Sequence, residues 1–385
     1  MRQQDTSFYM GSLDGLRFAS FVFVYCAHLP LEALSLANRV PIQTAFTSVD
    51  LFFVISAYLL WRLMDAEYHK RGEINVRDFY LRRVLRIYPL LVTFYTCMFV
   101  LRIIQTQAVP ESMTWLRFAA NIFAFDNILV WPWNWNDTVP AVGQFWTLAF
   151  EVQVYLLLPW AFRAWKKHGT RALLVGVVLF ELASFAARWW AVDAGISDRG
   201  VYVIPFFRPE AVLLGIVLAV IRPAWNATWS VMVAVVGAVA TMTLPAIDQV
   251  PYGTTYTYFA SAITVTALVD AGLRFAPLRA FLTLRPIRYL GMITYGLYVF
   301  HIAAIWTVVK ILRQVGVDGP IQAPAIIVLS LILTFVSAAL SFKYLESPFL
   351  RLKRRFEAVH ARGDSPDELP SSDSPADNTR RVNVP

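Results

Sequence analysis

Residues 13–36 read LDGLRFASFVFVYCAHLPLEALSL, an apolar stretch long enough to cross a bilayer that nevertheless carries Arg17 and His28. A spanning helix needs roughly 20 such residues. Eleven helical steps of about 100° return to within roughly 20° of the start, so the two side chains share one helix face, about 16 Å apart along the axis. Ionisable groups at that depth are costly and face a bundle interior or a watery cavity. The stretch reads as a membrane helix with a polar line turned inward.

The rest of the chain carries the same signal. Of 385 residues, 57% are hydrophobic and 16% charged, against roughly 25% charged in soluble domains. Apolar runs long enough to span recur at 13–34, 44–63, 84–104, 143–163, 171–190, 202–221, 228–246, 254–273, 287–312 and 322–345. The sequence therefore predicts an all-α integral membrane protein of about ten transmembrane helices. A shorter apolar piece at 115–131 runs into WPWNWNDTVP and reads as interfacial or re-entrant.

Lys and Arg set the orientation, because they accumulate in cytoplasmic loops. With both termini inside, the inner connections hold Lys70, Arg71, Arg77, Arg82 and Arg83, then Lys166, Lys167 and Arg171, then Arg222, then Arg274, Arg279, Arg285 and Arg288. The outer connections are poorer in them. An eleventh span would put Lys166 and Lys167 outside, which counts against it. The net charge of +8 is then a topological signature facing anionic lipid, and no basic aromatic platform points to nucleic acid. Localisation in the plasma (inner) membrane follows as the expectation. The first span is too long for a signal peptide and is expected to be retained.

Residues 1–12 read as a cytoplasmic N-terminus, 13–356 as one membrane domain, and 357–385, polar and proline-rich, as a disordered cytoplasmic tail. Cys26 and Cys97 both lie within spans and suggest neither a disulfide framework nor a metal site. A glycosylation sequon stands at Asn136, Asp137 and Thr138.

Depth can be estimated for the buried ionisable residues. His28 lies about 22 Å from the inner edge of span one, Glu151 about 12 Å below the outer surface, and His301 about 21 Å up span nine. Three groups from distant segments reach one level, as a buried acid/base site requires. A lone intramembrane His is as often a hydrogen-bonded structural residue; convergence favours chemistry. In FYLRRVLRIYPL, Arg82, Arg83 and Arg86 stand three and four apart and form a fork of guanidinium groups, whose planar donors suit phosphate. Inner-edge arginines are also the ordinary signature of topology.

The segments LDGLRFASFVFVYCAHL, VDLFFVISAYLL, FYLRRVLRIYPL, FWTLAFEVQVYLLLP, YGLYVFH and YLESPF together resemble, in that order, the membrane-bound acyltransferase family 3. The resemblance runs from residue 12 to about 352. It implies about ten spans and transfer of an acyl group, commonly acetyl from acetyl-CoA, to a hydroxyl of a carbohydrate or glycosylated small-molecule acceptor, with no metal. His28 and Arg17 match the family's first-span motif, Arg83 and Arg86 its arginine motif, and Glu151 its fourth-span acid. Two departures touch packing: Ala57 stands where the family often has Gly, and Phe150 where a smaller or acidic residue is common.

Under that resemblance, acyl-CoA is the donor, its phosphates held by Arg82, Arg83 and Arg86, while Arg17 steadies the thioester arm. His28, with an unperturbed pKa of about 6.5, accepts the acceptor hydroxyl's proton, or is itself acylated; Glu151 orients it. Asp50, Tyr155, Tyr298 and His301 are candidates for substrate binding. Asp14 is expected to pair with Arg17, and Arg208 and Glu210 are structural or acceptor-binding. Glu346 is expected to be structural. With no fused extracytoplasmic hydrolase-like domain in the chain, the bundle is expected to act alone or with a separate partner. The competing reading is a secondary transporter using buried His and Glu, but the inverted symmetry typical of carriers is not evident.

Overall fold

The structure is a computed structural model, and residues 10–30, 44–107, 111–130, 139, 141–196, 198–221, 223–243, 253–317 and 319–358 are described. The sequon, the segment WPWNWND and the tail beyond 358 lie outside those residues. Among the described residues every regular element is helical.

The first helix, α1 (Gly11–His28), is shorter than its apolar run. Leu29 is extended, with φ −64° and ψ 144°, because the ring of Pro30 disfavours a helical residue before it. His28 is therefore the last helical residue. Next come α2 (Thr44–Arg71) and α3 (Val76–Thr106). The Asn75 side chain caps α3 by accepting the Asp78 N–H at 3.1 Å, satisfying one of the four orphan donors of a helix start.

The 115–131 piece is two short helices, α4 (Ser112–Ile122) and α5 (Asp126–Val130), tied by the buried Arg117–Asp126 pair at 2.8 Å. The fourth and fifth apolar runs form one bent element, α6 (Trp146–Asp193), broken at Gly169. There φ is +83°, a region glycine enters without the Cβ clash of other residues.

The sixth run departs from expectation. Its first half holds α7 (Asp198–Val203), and Pro205 and Pro209 precede α8 (Glu210–Ile221), which has only 12 residues. At 1.5 Å per residue that is about 18 Å, short of the roughly 30 Å of hydrocarbon. Then follow α9 (Ala227–Thr243), α10 (Gly253–Arg274) and α11 (Ala276–Leu282). The ninth run is also broken, into α12 (Arg285–Met292) and α13 (Thr294–Gln314). Both α11 and α12 open with a proline in the first turn, where the missing N–H would be unpaired anyway. The chain continues through α14 (Gln322–Ser341), a π turn over Phe342–Glu346, and α15 (Ser347–Lys353).

Among the described residues four helices are long and apolar enough to cross a membrane: Val76–Thr106, Gly143–Asp193, Thr294–Gln314 and Gln322–Phe356. A fifth is available if Tyr256–Arg274 and Ala276–Leu282, bent by 88°, form one broken span. Side chains such as Leu157, Val236 and Ile332 are exposed, an apolar exterior of the kind lipid covers and water does not.

The core sits around α1, which packs against α2, α10, α11, α12 and α13. Small residues let these helices approach. A Cβ on Gly291 would lie 2.2 Å from the Asp14 carbonyl oxygen, and one on Gly15 2.4 Å from that of Leu282. Backbone cannot retreat as a flexible side chain can, so Gly291→Ala is expected to cost about 1–3 kcal/mol through overpacking. Thermal unfolding of the detergent-purified protein measures this, and an unchanged midpoint would refute it. The α2–α8 crossing works likewise: a Cβ on Gly215 would meet the Val54 carbonyl at 2.8 Å and the Ala57 Cβ at 3.0 Å. The alanine that departs from the family pattern is accommodated by a glycine on the facing helix. Phe150, the second departure, is fully buried and stacks on Phe53 with ring centroids 4.1 Å apart.

Candidate functional site

A cavity lies between α1, α2, α3, α6, α12, α13 and α15, and it gathers most of the residues singled out above. At one end it is lined by Arg82, Arg83, Arg86 and Lys353; Arg17, Ser56, Glu151 and Tyr155 line it further in, with Thr147 and Tyr298. Because α3 extends past its apolar run by about two turns at the N-terminal end, it carries Arg82 beside α2 and Arg83 beside α6, with Arg86 a turn further on.

The three arginines have different surroundings. Arg82 is buried and already committed: it donates to Glu67 Oε2 at 3.0 Å and to the Phe356 carbonyl at 2.6 Å. Although it lines the cavity, these bonds make it a clasp between α2, α3 and the chain after α15. Arg83 is half-buried, its guanidinium 5.9 Å from the ring centroids of both Phe79 and Tyr155. Arg86 is half-buried at the cavity wall and lies near enough to Glu346 to act on its charge. Glu346 is itself buried and accepts from Ser341 at 3.1 Å. Arg17 pairs with Asp14 one turn earlier at 2.8 Å, the partner its spacing predicts.

Glu151 accepts hydrogen bonds from Ser56 and from Tyr155. The Tyr298 hydroxyl shares a hydrogen bond with Thr147 at 2.7 Å and donates to the Gln144 carbonyl at 3.1 Å. Tyr155 and Tyr298 thus both reach the cavity wall, one bonded to the acid and one to Thr147.

Beyond Tyr298 lie the two histidines. The ring of His301 is 5.5 Å from that of Tyr298 and 4.9 Å from that of His28, centroid to centroid. His301 is fully buried, whereas His28 is exposed at the end of α1. His301 Nε2 approaches His28 Nδ1 to 3.4 Å. The expectation that Glu151 orients His28 is corrected by this geometry: the group against the His28 ring is His301, and the carboxylate is engaged by Ser56 and Tyr155. His28 and His301 form a pair beside Tyr298, and Glu151 lies in the cavity wall.

Asp50 is placed elsewhere. It is 1% exposed, meets Arg208 Nη2 at 2.6 Å and accepts from Ser261. Arg208 lies over Tyr202 and Tyr258, at 4.3 and 4.6 Å from their centroids. Next to it Arg188, fully buried, donates to Glu210. Asp50, Arg208 and Glu210 thus belong to a closed charge network that ties α2, α6, α8 and α10 together.

Sequence reasoning passed over Ser56, Thr147 and Lys353. The hydroxyls carried no motif, and Lys353 is one of several basic residues after the last apolar run; only the fold brings all three to the cavity.

A family model described as an acyltransferase domain (acyltransferase 3) matches residues 10–340. The O-acetyltransferase OatA of Staphylococcus aureus (strain NCTC 8325) is similar at 27% identity, over 91% of this chain and 58% of its own length. A putative O-acetyltransferase of Staphylococcus aureus (strain MSSA476) is similar at 23% identity, over 94% of this chain and 60% of its own length. This chain therefore spans somewhat over half the length of these curated relatives. No solved structure matches it. The match takes in α1, the arginines of α3, Glu151 and the His301 helix, and the chain belongs to this acyltransferase family.

Proposed function

We propose that the protein is a multi-pass O-acetyltransferase of the plasma membrane, with ten membrane passages and both termini cytoplasmic, which takes an acetyl group from acetyl-CoA and places it on a hydroxyl of a carbohydrate or glycosylated acceptor. The observation that carries this is the cavity itself: guanidinium groups at one end, a carboxylate and two tyrosines along it, and a histidine pair beyond Tyr298. Coenzyme A has the matching form, phosphates at one end and a thioester on a long arm. Arg83 and Arg86 hold the phosphates through charge-assisted hydrogen bonds. The arm passes Arg17 and Glu151 towards Tyr298.

The chemistry is base-assisted acyl transfer. His28 takes the proton of the acceptor hydroxyl as its oxygen attacks the thioester carbonyl. The tetrahedral intermediate collapses, the C–S bond breaks, and the imidazolium returns the proton to the departing thiolate. Atoms balance as ester plus free coenzyme A.

Titration of coenzyme A into the detergent-purified full chain tests the donor site. Arg86→Ala is expected to weaken binding about tenfold or more, since hydrogen bonds to charged groups contribute roughly 1.5–3 kcal/mol. Equal affinity for the variant would remove Arg86 from the site. No binding of coenzyme A by the unaltered chain, together with ion-coupled uptake of a solute, would replace the enzyme with a carrier.

A further inference from the structure

We propose that His301 is a positioning residue for His28, acting with the Val24 carbonyl to hold the ring in the tautomer that leaves Nε2 as the basic atom and taking up its Nδ1–H when the ring is charged. The inference rests on the reading of His28 as the base and reassigns His301 from substrate binding to the support of that base.

The argument follows from which atoms can donate. A backbone carbonyl only accepts, so a ring nitrogen bonded to one must carry the hydrogen. His301 Nδ1 lies 2.6 Å from the Tyr298 carbonyl oxygen, so Nδ1 is the protonated nitrogen and Nε2 presents a lone pair. His28 Nδ1 lies 2.8 Å from the Val24 carbonyl oxygen, so it too is protonated. That same N–H is 3.4 Å from the His301 Nε2 lone pair, and the two acceptors share it. The lone pair of His28 is left on Nε2.

Each partner is held in place. The ring of Phe21 meets that of His301 edge to face, with centroids 6.2 Å apart. Tyr25, on the same helix as His28, donates to the Ile327 carbonyl at 3.0 Å and bonds Ser330, which locks the end of α1 against α14. The fully buried ring is the support, and the exposed one has an Nε2 with no hydrogen-bond partner among the described residues, the order needed if the acceptor is to reach the base.

During transfer Nε2 of His28 receives the hydroxyl proton and the ring becomes an imidazolium. Its Nδ1–H then leans on the His301 lone pair, as the imidazolium of a serine hydrolase leans on its carboxylate. Nε2–H next passes to the thiolate, and both histidines return to their starting tautomers. No proton is gained or lost over the cycle.

The test uses membrane vesicles containing the full chain, radiolabelled acetyl-CoA, and alkali-labile label in extracted material as the readout. His301→Leu and His301→Phe remove the acceptor nitrogen, the second while keeping a ring's volume; His301→Gln keeps an acceptor at the same reach. Loss of about a hundredfold in turnover is expected for Leu and Phe, with the KM for acetyl-CoA unchanged, and recovery to within about tenfold for Gln. Full turnover in a folded Leu or Phe variant overturns the inference, as does a loss carried by the KM for acetyl-CoA. His28→Ala in the same assay separates the two claims. If it still transfers acetyl, the reading of His28 fails; if it is silent while Leu and Phe are fully active, only the role of His301 fails.

Discussion

His28→Ala is expected to lower acetyl transfer by about 10²- to 10⁴-fold, the range typical of losing a general acid or base, while the protein remains folded in the membrane. The separation of effects comes from the position of the residue. His28 is exposed at the end of α1, after the core-building residues Leu13, Leu16, Phe21 and Val24, each 1% exposed or less. Truncating its ring removes one hydrogen bond to the Val24 carbonyl and the contact with His301. It leaves the helix's packing against α2, α12 and α13 intact. Labelled acetyl transfer in vesicles, normalised to protein in the membrane, is the measurement. Transfer above a tenth of the normal rate would remove His28 from the chemistry. Coenzyme A titration should be unaffected, because the arginine end of the cavity is untouched.

Arg208→Ala should act in the opposite sense, on stability before activity. The substitution strands the Asp50 carboxylate at 1% exposure, still accepting from Ser261, and it deletes a cation held over Tyr202 and Tyr258. Breaking a buried pair by removing one partner costs about 3–5 kcal/mol, whereas replacing both by apolar groups is often neutral. The expected result is therefore a lowered unfolding midpoint for Arg208→Ala and recovery of most of the loss in Asp50→Leu/Arg208→Leu, read by thermal unfolding in detergent. A single variant as stable as the unaltered chain would refute it. An acceptor-binding role for Asp50 makes a different forecast, a stable variant with a raised KM for the acceptor.

Much of the architecture was readable in advance because hydrophobic run length is a direct physical requirement of a bilayer. The break at Gly169 falls between two apolar runs and next to Lys166 and Lys167, so sequence and structure agree there. The run at 202–221 misled because apolar composition reports burial or lipid contact and is silent on continuity, whereas the run at 287–312 does contain a helix long enough to span, Thr294–Gln314. Pro205 and Pro209 interrupt the first stretch, and the second is divided into α12 and α13. Likewise Pro30 ends α1 at His28, six residues before the apolar run stops.

The candidate site divides along a similar line. Arg17 pairs with Asp14 because three residues on a helix put side chains side by side, and spacing alone states that. Arg82 was grouped with Arg83 and Arg86 by the same spacing. Its real partners, Glu67 and the Phe356 carbonyl, come from α2 and from a segment 274 positions away, and no periodicity encodes such a meeting.

What the sequence by itself determined is the class of molecule and the cast of residues: helices fit for a bilayer, Arg17 and His28 on α1, and guanidinium groups clustered near the start of α3. Those follow from short-range rules, the 3.6-residue turn and the free energy of placing charge in hydrocarbon. Only the tertiary structure decided who meets whom. It closed Asp50 onto Arg208, turned Glu151 to Ser56 of another helix, and brought His301 to His28 across 273 positions of chain. Contacts between distant segments depend on helix breaks, crossing points and glycine-permitted close approaches, which act together over the whole bundle.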